Sequence, residues 1–180
     1  LKYACPCCEK YIVTASKPAQ PIEKSIASPG LLAHIAIQKY ADALPLYRQG
    51  EIFKRIGVEL DTTILANWMV RCGALLQPLI NLLHEKILEQ PVLHADETRV
   101  QVLNEQDKTP QSNSYMWVLR STQSCCAAVL YRYEPTRSGK AAAELLHDFH
   151  GALMVDGYSG YNAVCEQQSI TRLGCWAHAR

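Results

Sequence analysis

The sequence predicts a mixed protein, α+β or α/β in class, in which an N-terminal helical segment precedes a mixed sheet with flanking helices. Three observations predict it. Before about residue 90, apolar residues recur at helical spacing, as in Leu31, Leu32, Ile35 and Ala36. From residue 91 the period becomes strand-like. Two apolar runs sixty positions apart, Val92-Leu93-His94-Ala95-Asp96 and Ala152-Leu153-Met154-Val155-Asp156, then each deliver one aspartate.

Size and composition bound what such a chain can be. With 180 residues it can hold one good core, or a moderate domain with an appendage. A hydrophobic share of 48% and a charged share of 19% are those of a globular protein. No apolar run reaches the roughly 18 residues of a membrane span and no signal peptide opens the chain. A cytoplasmic protein without membrane partners is expected. The net charge is +1, and neither half is strongly basic, with 10 Lys/Arg against 8 Asp/Glu up to Gln90 and 8 against 9 after it. Charge alone gives no nucleic-acid footprint. Of the eight Cys, those at 72, 125, 126 and 165 lie among apolar residues and read as reduced, buried thiols. The chain opens at Leu1 and stops at Arg180 directly after an apolar run, which reads as a fragment lacking both ends.

The elements follow in order. Residues 1–9 carry Cys5-x-x-Cys8, the spacing of half a zinc knuckle, with Cys7 as a spare thiol and no second pair downstream. A surface turn with fortuitous cysteines fits equally. Residues 10–28, with Pro18, Pro21 and little periodicity, read as a linker. Residues 29–90 are helical. Ser28 caps the first helix, with Pro29 in its first turn and Leu31, Leu32, Ile35, Ala36 and Tyr40 as its stripe. Pro45 starts a second, carrying Leu46, Ile52, Phe53 and Ile56, and Gly57 closes it. Asp61 or Thr62 caps a third with Ile64, Leu65, Trp68, Met69 and Cys72 on one face. Helix, short turn, helix is the outline of a helix-turn-helix, in which Thr63, Asn67 and Arg71 would face a DNA groove. A plain helical hairpin matches the same spacing. The pattern continues to Ile87, interrupted by Pro78, as one kinked helix or two.

Residues 91–180 read as the sheet domain. Strands are expected at 92–103, 114–121 and 125–133, and Asn104 to Asn113 forms the first turn. Ser138 caps a helix with Ala141, Ala142, Leu145, Leu146 and Phe149 on its face. A strand at 152–156, a short helix around 160–167 and a strand at 170–176 complete the series. Three antiparallel strands, helix, strand, helix, strand is a ribonuclease-H-like order, here incomplete. In that order the first and fourth strands are neighbours, which puts Asp96 beside Asp156.

Two adjacent carboxylates repel unless a cation neutralises them. Mg²⁺, or Mn²⁺, suits such a pair: it takes oxygen ligands, keeps waters and is completed by substrate phosphate. Metal-assisted phosphodiester hydrolysis or strand transfer is the matching chemistry. Singly, Asp156 reads as a turn residue before Gly157 and Asp96 as a strand end; on paired strands, the functional reading leads. His94 shares the strand face of Asp96 and could orient it. Tyr158 and Tyr161 could serve substrate, with packing on the sheet as the plainer reading. The Cys175-Trp176-Ala177-His178 run offers only two metal ligands. It reads as a strand end packing Trp176, with His178 and Arg180 approaching DNA or the acids.

Five blocks together, Ser28-Pro29-Gly30-Leu31-Leu32-Ala33, Pro45-Leu46-Tyr47-Arg48-Gln49, His94-Ala95-Asp96-Glu97-Thr98, Val155-Asp156-Gly157-Tyr158-Ser159-Gly160-Tyr161-Asn162 and Cys175-Trp176-Ala177-His178-Ala179-Arg180, closely resemble the insertion sequence 66 family of bacterial transposases. The resemblance covers nearly the whole chain in order. It implies that Cys5 and Cys8 are the second half of a Zn²⁺ segment and that Asp96 and Asp156 are the first two acids of an Asp-Asp-Glu set. It also implies DNA, both transposon ends and target, as partner, and admits a homo-oligomer and accessory proteins of the same element. The family's third acid is expected on a helix beyond Arg180. Glu97 should face away from Asp96, and nothing makes Glu144 or Glu166 converge on it. This polypeptide is therefore expected to bind metal weakly and not to transpose by itself. A ribonuclease-H-like nuclease and a non-catalytic DNA-binding remnant are the alternatives.

Overall fold

The protein is described by a computed structural model covering residues 2–8, 12–16, 18–123 and 127–179. Cys125, Cys126 and Arg180, singled out above, lie outside the described residues. The chain divides into two compact units, Leu1–Gln77 and Pro78–Arg180.

The first unit begins with a hairpin. Strands β1 (Lys2–Ala4) and β2 (Ile12–Thr14) pair antiparallel, Lys2 opposite Thr14 and Ala4 opposite Ile12, so Cys5, Cys7 and Cys8 lie in the connection. Helix α1 (Pro29–Tyr40) starts where the sequence marks it: the Ser28 hydroxyl accepts the Leu31 N–H at 3.1 Å, and Pro29 has no N–H to leave unpaired. Helix α2 (Leu46–Arg55) ends before Gly57, whose φ of 82° is the left-handed conformation glycine adopts without strain. Helix α3 (Thr62–Leu88) is capped by Asp61, which accepts the Thr63 N–H at 2.6 Å, and runs through Pro78 as one helix.

These helices bury Leu32, Ile35, Leu46, Leu60, Leu65, Trp68 and Met69 together with Ile22 and Ala27 of the preceding segment. Gln49 is fully buried among them and donates to the carbonyls of Ile35 and Leu44, tying α2 to α1 and its following loop. The sequence over-extends each apolar stripe. Tyr40 and Ile56 are each 71% exposed and Ile64 is 41% exposed. Each sits at an element's end, where the spacing continues but the neighbouring helix no longer covers it. Of the thiols expected in the core, Cys165 is buried and Cys72 is half-buried. Among the described residues no helix is long and apolar enough to cross a membrane.

The second unit is built on one mixed sheet. Strands β3 (Val92–Gln101), β4 (Asn113–Ser121) and β5 (Val129–Glu134) form an antiparallel meander, followed by α4 (Gly139–Leu145), β6 (Ala152–Val155), a 3-10 turn at Ser159–Tyr161, α5 (Asn162–Gln167) and β7 (Thr171–Gly174). Their order in the sheet is β5-β4-β3-β6-β7, with β6 parallel to both β3 and β7. That is the ribonuclease-H-like arrangement expected from element order. Leu93 and Ala95 of β3, Trp117 and Leu119 of β4, and Leu153 and Val155 of β6 share one buried cluster with Ala141, Ala142, Leu145 and Phe149 from α4 and its end, and Val164 of α5. Alternation along each strand puts every second residue on this face. Ser138 caps α4 by accepting the Ala141 N–H at 3.3 Å.

Strand ends differ from the sequence reading by a few residues, and the ladders explain why. β3 stops at Gln101, its last partner being Asn113. Among the described residues β5 covers Val129–Glu134, and residue 125, where the sequence starts this strand, lies outside them. β7 stops at Gly174, because its partner β6 ends at Val155 and the chain then turns.

Candidate active site

The two aspartates are carried to one place by register. In the parallel pair of β3 and β6, Val92 faces Ala152, Leu93 faces Leu153 and His94 faces Met154. Carried two residues beyond the last of these rungs, the same offset of sixty sets Asp96, in the middle of β3, level with Asp156, the residue that follows β6. Leu93, Ala95, Leu153 and Val155 point into the core, so His94, Asp96 and Asp156 fall on the opposite alternation. Asp96 is exposed, and one of its oxygens accepts the Glu97 N–H at 2.9 Å. Asp156 is half-buried and accepts the Tyr158 N–H at 2.9 Å, an Asx turn that ends the strand.

Around Asp156 lies a network that sequence reasoning missed. Arg137, in the loop between β5 and α4, pairs with Glu97 through two guanidinium nitrogens and reaches Asp156 Oδ2 at 3.3 Å. Its guanidinium also lies 3.9 Å from the centre of the Tyr158 ring, whose hydroxyl donates to the Arg137 carbonyl at 2.9 Å. The Glu97 side chain is only 2% exposed and accepts a second bond, 2.8 Å, from the Tyr161 hydroxyl. Tyr161 is itself fully buried, edge-on to Trp117 and to Tyr158 at 5.8 Å each. Gly160 makes room for this: a Cβ there would stand 2.1 Å from the Tyr158 ring. On the other side Arg172 of β7 donates to the carbonyls of Asp156 (2.8 Å) and Tyr158 (3.0 Å) and to the Asn162 side chain.

The electrostatics follow from these contacts. Partial burial works against the Arg137 charge, but the Glu97 hydrogen bond and the charges of Glu97 and Asp156 outweigh it and raise its pKa. Burial, reinforced by Glu97, pushes the Tyr161 hydroxyl far above the ordinary tyrosine range, so it remains a donor. Two carboxylates, Glu97 and Asp156, thus share the guanidinium of Arg137, while Arg172 holds the backbone carbonyls of Asp156 and Tyr158. No cationic side chain pairs with Asp96 among the described residues.

The remaining residues singled out above are distributed as follows. Trp176, expected to pack at a strand end, is instead 89% exposed in a 3-10 turn, Trp176–His178, beyond the last rung of the β6–β7 ladder. It lines a cleft of about 510 Å³ with Asp156, Arg172, Cys175 and His178. His94 lies half-buried two residues before Asp96. Tyr158 and Tyr161 brace Arg137 and Glu97. Of the acids weighed as a third member, Glu97 is engaged by Arg137 and Tyr161, Glu144 pairs with Arg132 at 2.8 Å, and Glu166 is exposed on α5. In the first unit, Thr63, Asn67 and Arg71 are exposed on α3, and Cys5 and Cys8 lie in the hairpin turn. Among the described residues no three His, Cys, Asp or Glu side chains converge as a metal-binding group.

Arg137 and Arg172 give no signal at the level of spacing. Arg137 stands forty residues from Glu97 and nineteen from Asp156, and only the sheet brings them together. The Pro135-Thr136-Arg137-Ser138 loop reads as a turn and a helix cap, and nothing in it singles out the cation.

The fold is of the ribonuclease-H-like class, with one aspartate in the middle of a central strand and a second directly after its parallel neighbour. Residues 24–180 match the model of the transposase IS66 family, and the chain belongs to that family. It is 36% identical over 182 residues to the uncharacterized protein y4qI of Sinorhizobium fredii (strain NBRC 101917 / NGR234), covering 94% of this chain and 33% of that protein. The uncharacterized protein y4jD of the same organism is 35% identical over 190 residues, covering 99% of this chain and 37% of it. The chain thus spans about a third of the length of these curated relatives. Among solved structures it is similar to the Mos1 transposase paired-end complex with left transposon end, with a TM-score of 0.34 and 11% identity over 93% of this chain and 62% of that one.

Proposed function

We propose that this chain supplies the first two acids, Asp96 and Asp156, of a metal-assisted phosphodiester chemistry that frees transposon ends and joins them to target DNA. The observation that carries the reading is the parallel register of β3 and β6, whose offset of sixty, carried two residues past its last rung at His94 and Met154, brings Asp96 of β3 level with Asp156 just after β6. Carboxylate oxygens, one exposed and one half-buried, are a donor set that fits Mg²⁺ or Mn²⁺, with water and phosphate completing the shell. A divalent ion held there would activate an attacking water or 3′-hydroxyl and neutralise the leaving oxygen.

The chain's own residues would do the rest. Asp96 and Asp156 bind and orient. The Asx turn and Arg172 fix the backbone of the second acid. His178 and the exposed Trp176, across the cleft from Asp156, offer a hydrogen-bonding group and a stacking surface to a DNA end. We assign the third acid to no described residue, since Glu97 is sequestered by its partners.

DNA contacts would also come from the first unit. Thr63, Asn67 and Arg71 are exposed on α3, and Asn67 and Arg71 border a cleft of about 690 Å³ with Lys24. In the hairpin, the backbone N–H groups of Cys7 and then Cys8 lower the Cys5 thiol's pKa, which suits a Zn²⁺ ligand paired with Cys8 and two donors from outside this turn.

The test uses the protein translated from the complete reading frame containing these residues, with labelled DNA from its element's ends and Mg²⁺. Asp96→Asn and Asp156→Asn are each expected to cut cleavage and strand transfer by at least about a thousandfold while leaving end binding intact. Full activity in either variant would overturn the assignment.

A further inference from the structure

Resting on that reading, a second observation is the cation that stands beside the second acid. Asp156 is not free: its Oδ2 faces Arg137 at 3.3 Å. The guanidinium is held by other groups more firmly than by Asp156. Glu97 takes two of its nitrogens, the Tyr158 ring covers its face, and the Tyr158 hydroxyl holds its backbone carbonyl. Glu97 is in turn fastened by the Tyr161 hydroxyl. A cation tethered in this way can release Asp156 without leaving its own site.

We propose that Arg137 is a resident counter-cation of Asp156 which a divalent ion must displace, and that Glu97, by holding the guanidinium, sets how readily the acid pair takes a metal. Arg137 is then a positioning residue. It neutralises Asp156 in the metal-free protein, and the carboxylate exchanges one cation for another on loading. Glu97 draws the guanidinium away from Asp156 and so favours the metal. Because Arg137 is about one-third exposed, the pair with Asp156 is of the modest, partly solvated kind. Removing it should change metal affinity by about fivefold rather than by orders of magnitude.

The experiment measures Mn²⁺ binding to this polypeptide by electron paramagnetic resonance, with circular dichroism confirming the fold of each variant. Arg137→Gln is expected to bind Mn²⁺ about fivefold more tightly than the unaltered protein. Glu97→Gln should bind more weakly, because the freed guanidinium turns to Asp156. In the double variant the Glu97→Gln effect should vanish. Unchanged or weaker binding in Arg137→Gln, or a Glu97→Gln effect that persists without Arg137, overturns the proposal. A measurement on the unaltered protein covers the case of a variant that does not fold. The Nε–H resonance of Arg137 should shift during a Mg²⁺ titration with the midpoint of metal binding, and a resonance fixed to saturation also overturns it. An Asp96→Asn, Asp156→Asn double variant separates the two ideas. If it binds Mn²⁺ as well as the unaltered protein, the acid-pair reading itself falls; if binding needs the acids but ignores Arg137, only the counter-cation does.

Discussion

Replacing Tyr161 with Phe removes one hydroxyl and leaves the ring. The ring's edge-on contacts with Trp117 and Tyr158, at 5.8 Å each, survive the change, so the substitution isolates a single hydrogen bond. That bond is 2.8 Å long and ends on Glu97, whose side chain is 2% exposed. A hydrogen bond to a charged group contributes about 1.5–3 kcal/mol, and a buried acceptor left without its donor bears the desolvation penalty. Arg137 still neutralises Glu97 in the variant, which places the expected loss in the lower half of that range, about 2 kcal/mol. For a chain of this size that corresponds to a fall of about 4–8 °C in the melting temperature. Urea denaturation followed by circular dichroism would measure it. The same substitution in a Glu97→Gln background should cost less, because the acceptor is no longer charged. A loss below about 0.5 kcal/mol, or an equal loss in both backgrounds, would refute the claim that the hydroxyl serves Glu97.

Three other outcomes follow from the same geometry. Gly151→Ala would place a Cβ 2.6 Å from the Pro91 carbonyl oxygen and 2.9 Å from the Phe149 ring, so it should destabilise the second unit by about 1–3 kcal/mol in a urea melt; a neutral result would contradict the close approach. Tyr161 has a pKa raised in the folded state, so the folded protein holds its proton where the unfolded chain has lost it. Stability is unaffected by this group below about pH 10 and falls as pH rises beyond it, so the last tyrosinate absorbance step at 295 nm should coincide with loss of the native circular dichroism signal. Arg71→Gln on α3 should weaken binding to duplex DNA across sequences and reduce the salt slope by about one, measured by fluorescence anisotropy at several salt concentrations; an unchanged slope would remove Arg71 from the interface.

Much of this fold is legible in the sequence, because the signals are local. Ser28 and Ser138 cap the helices they precede, and Gly57 closes α2 with a positive φ. The alternation of Leu93 and Ala95 with His94 and Asp96 gives both the strand and the face on which the acid stands. What the sequence could not show is set by partners. Trp176 follows an apolar run and reads as packed, yet β7 can extend only as far as β6 accompanies it, and the indole falls beyond the last rung. Tyr40 and Ile56 keep the helical spacing past the point where a neighbour covers them. The ties of Arg137 and Arg172 to the acids are wholly tertiary, made by side chains from elements separated in sequence. Alternation along β3 gives no sign that a guanidinium bridges Glu97 to Asp156.

The most direct test of the central claim is the position of a bound ion. Crystals of the protein soaked in Mn²⁺ and measured at a wavelength where manganese scatters anomalously would locate it. One anomalous peak is expected between the carboxylates of Asp96 and Asp156, lost in Asp156→Asn, with Arg137 withdrawn toward Glu97. A peak elsewhere, or none at saturating Mn²⁺ with the two aspartates accessible to solvent, would contradict it.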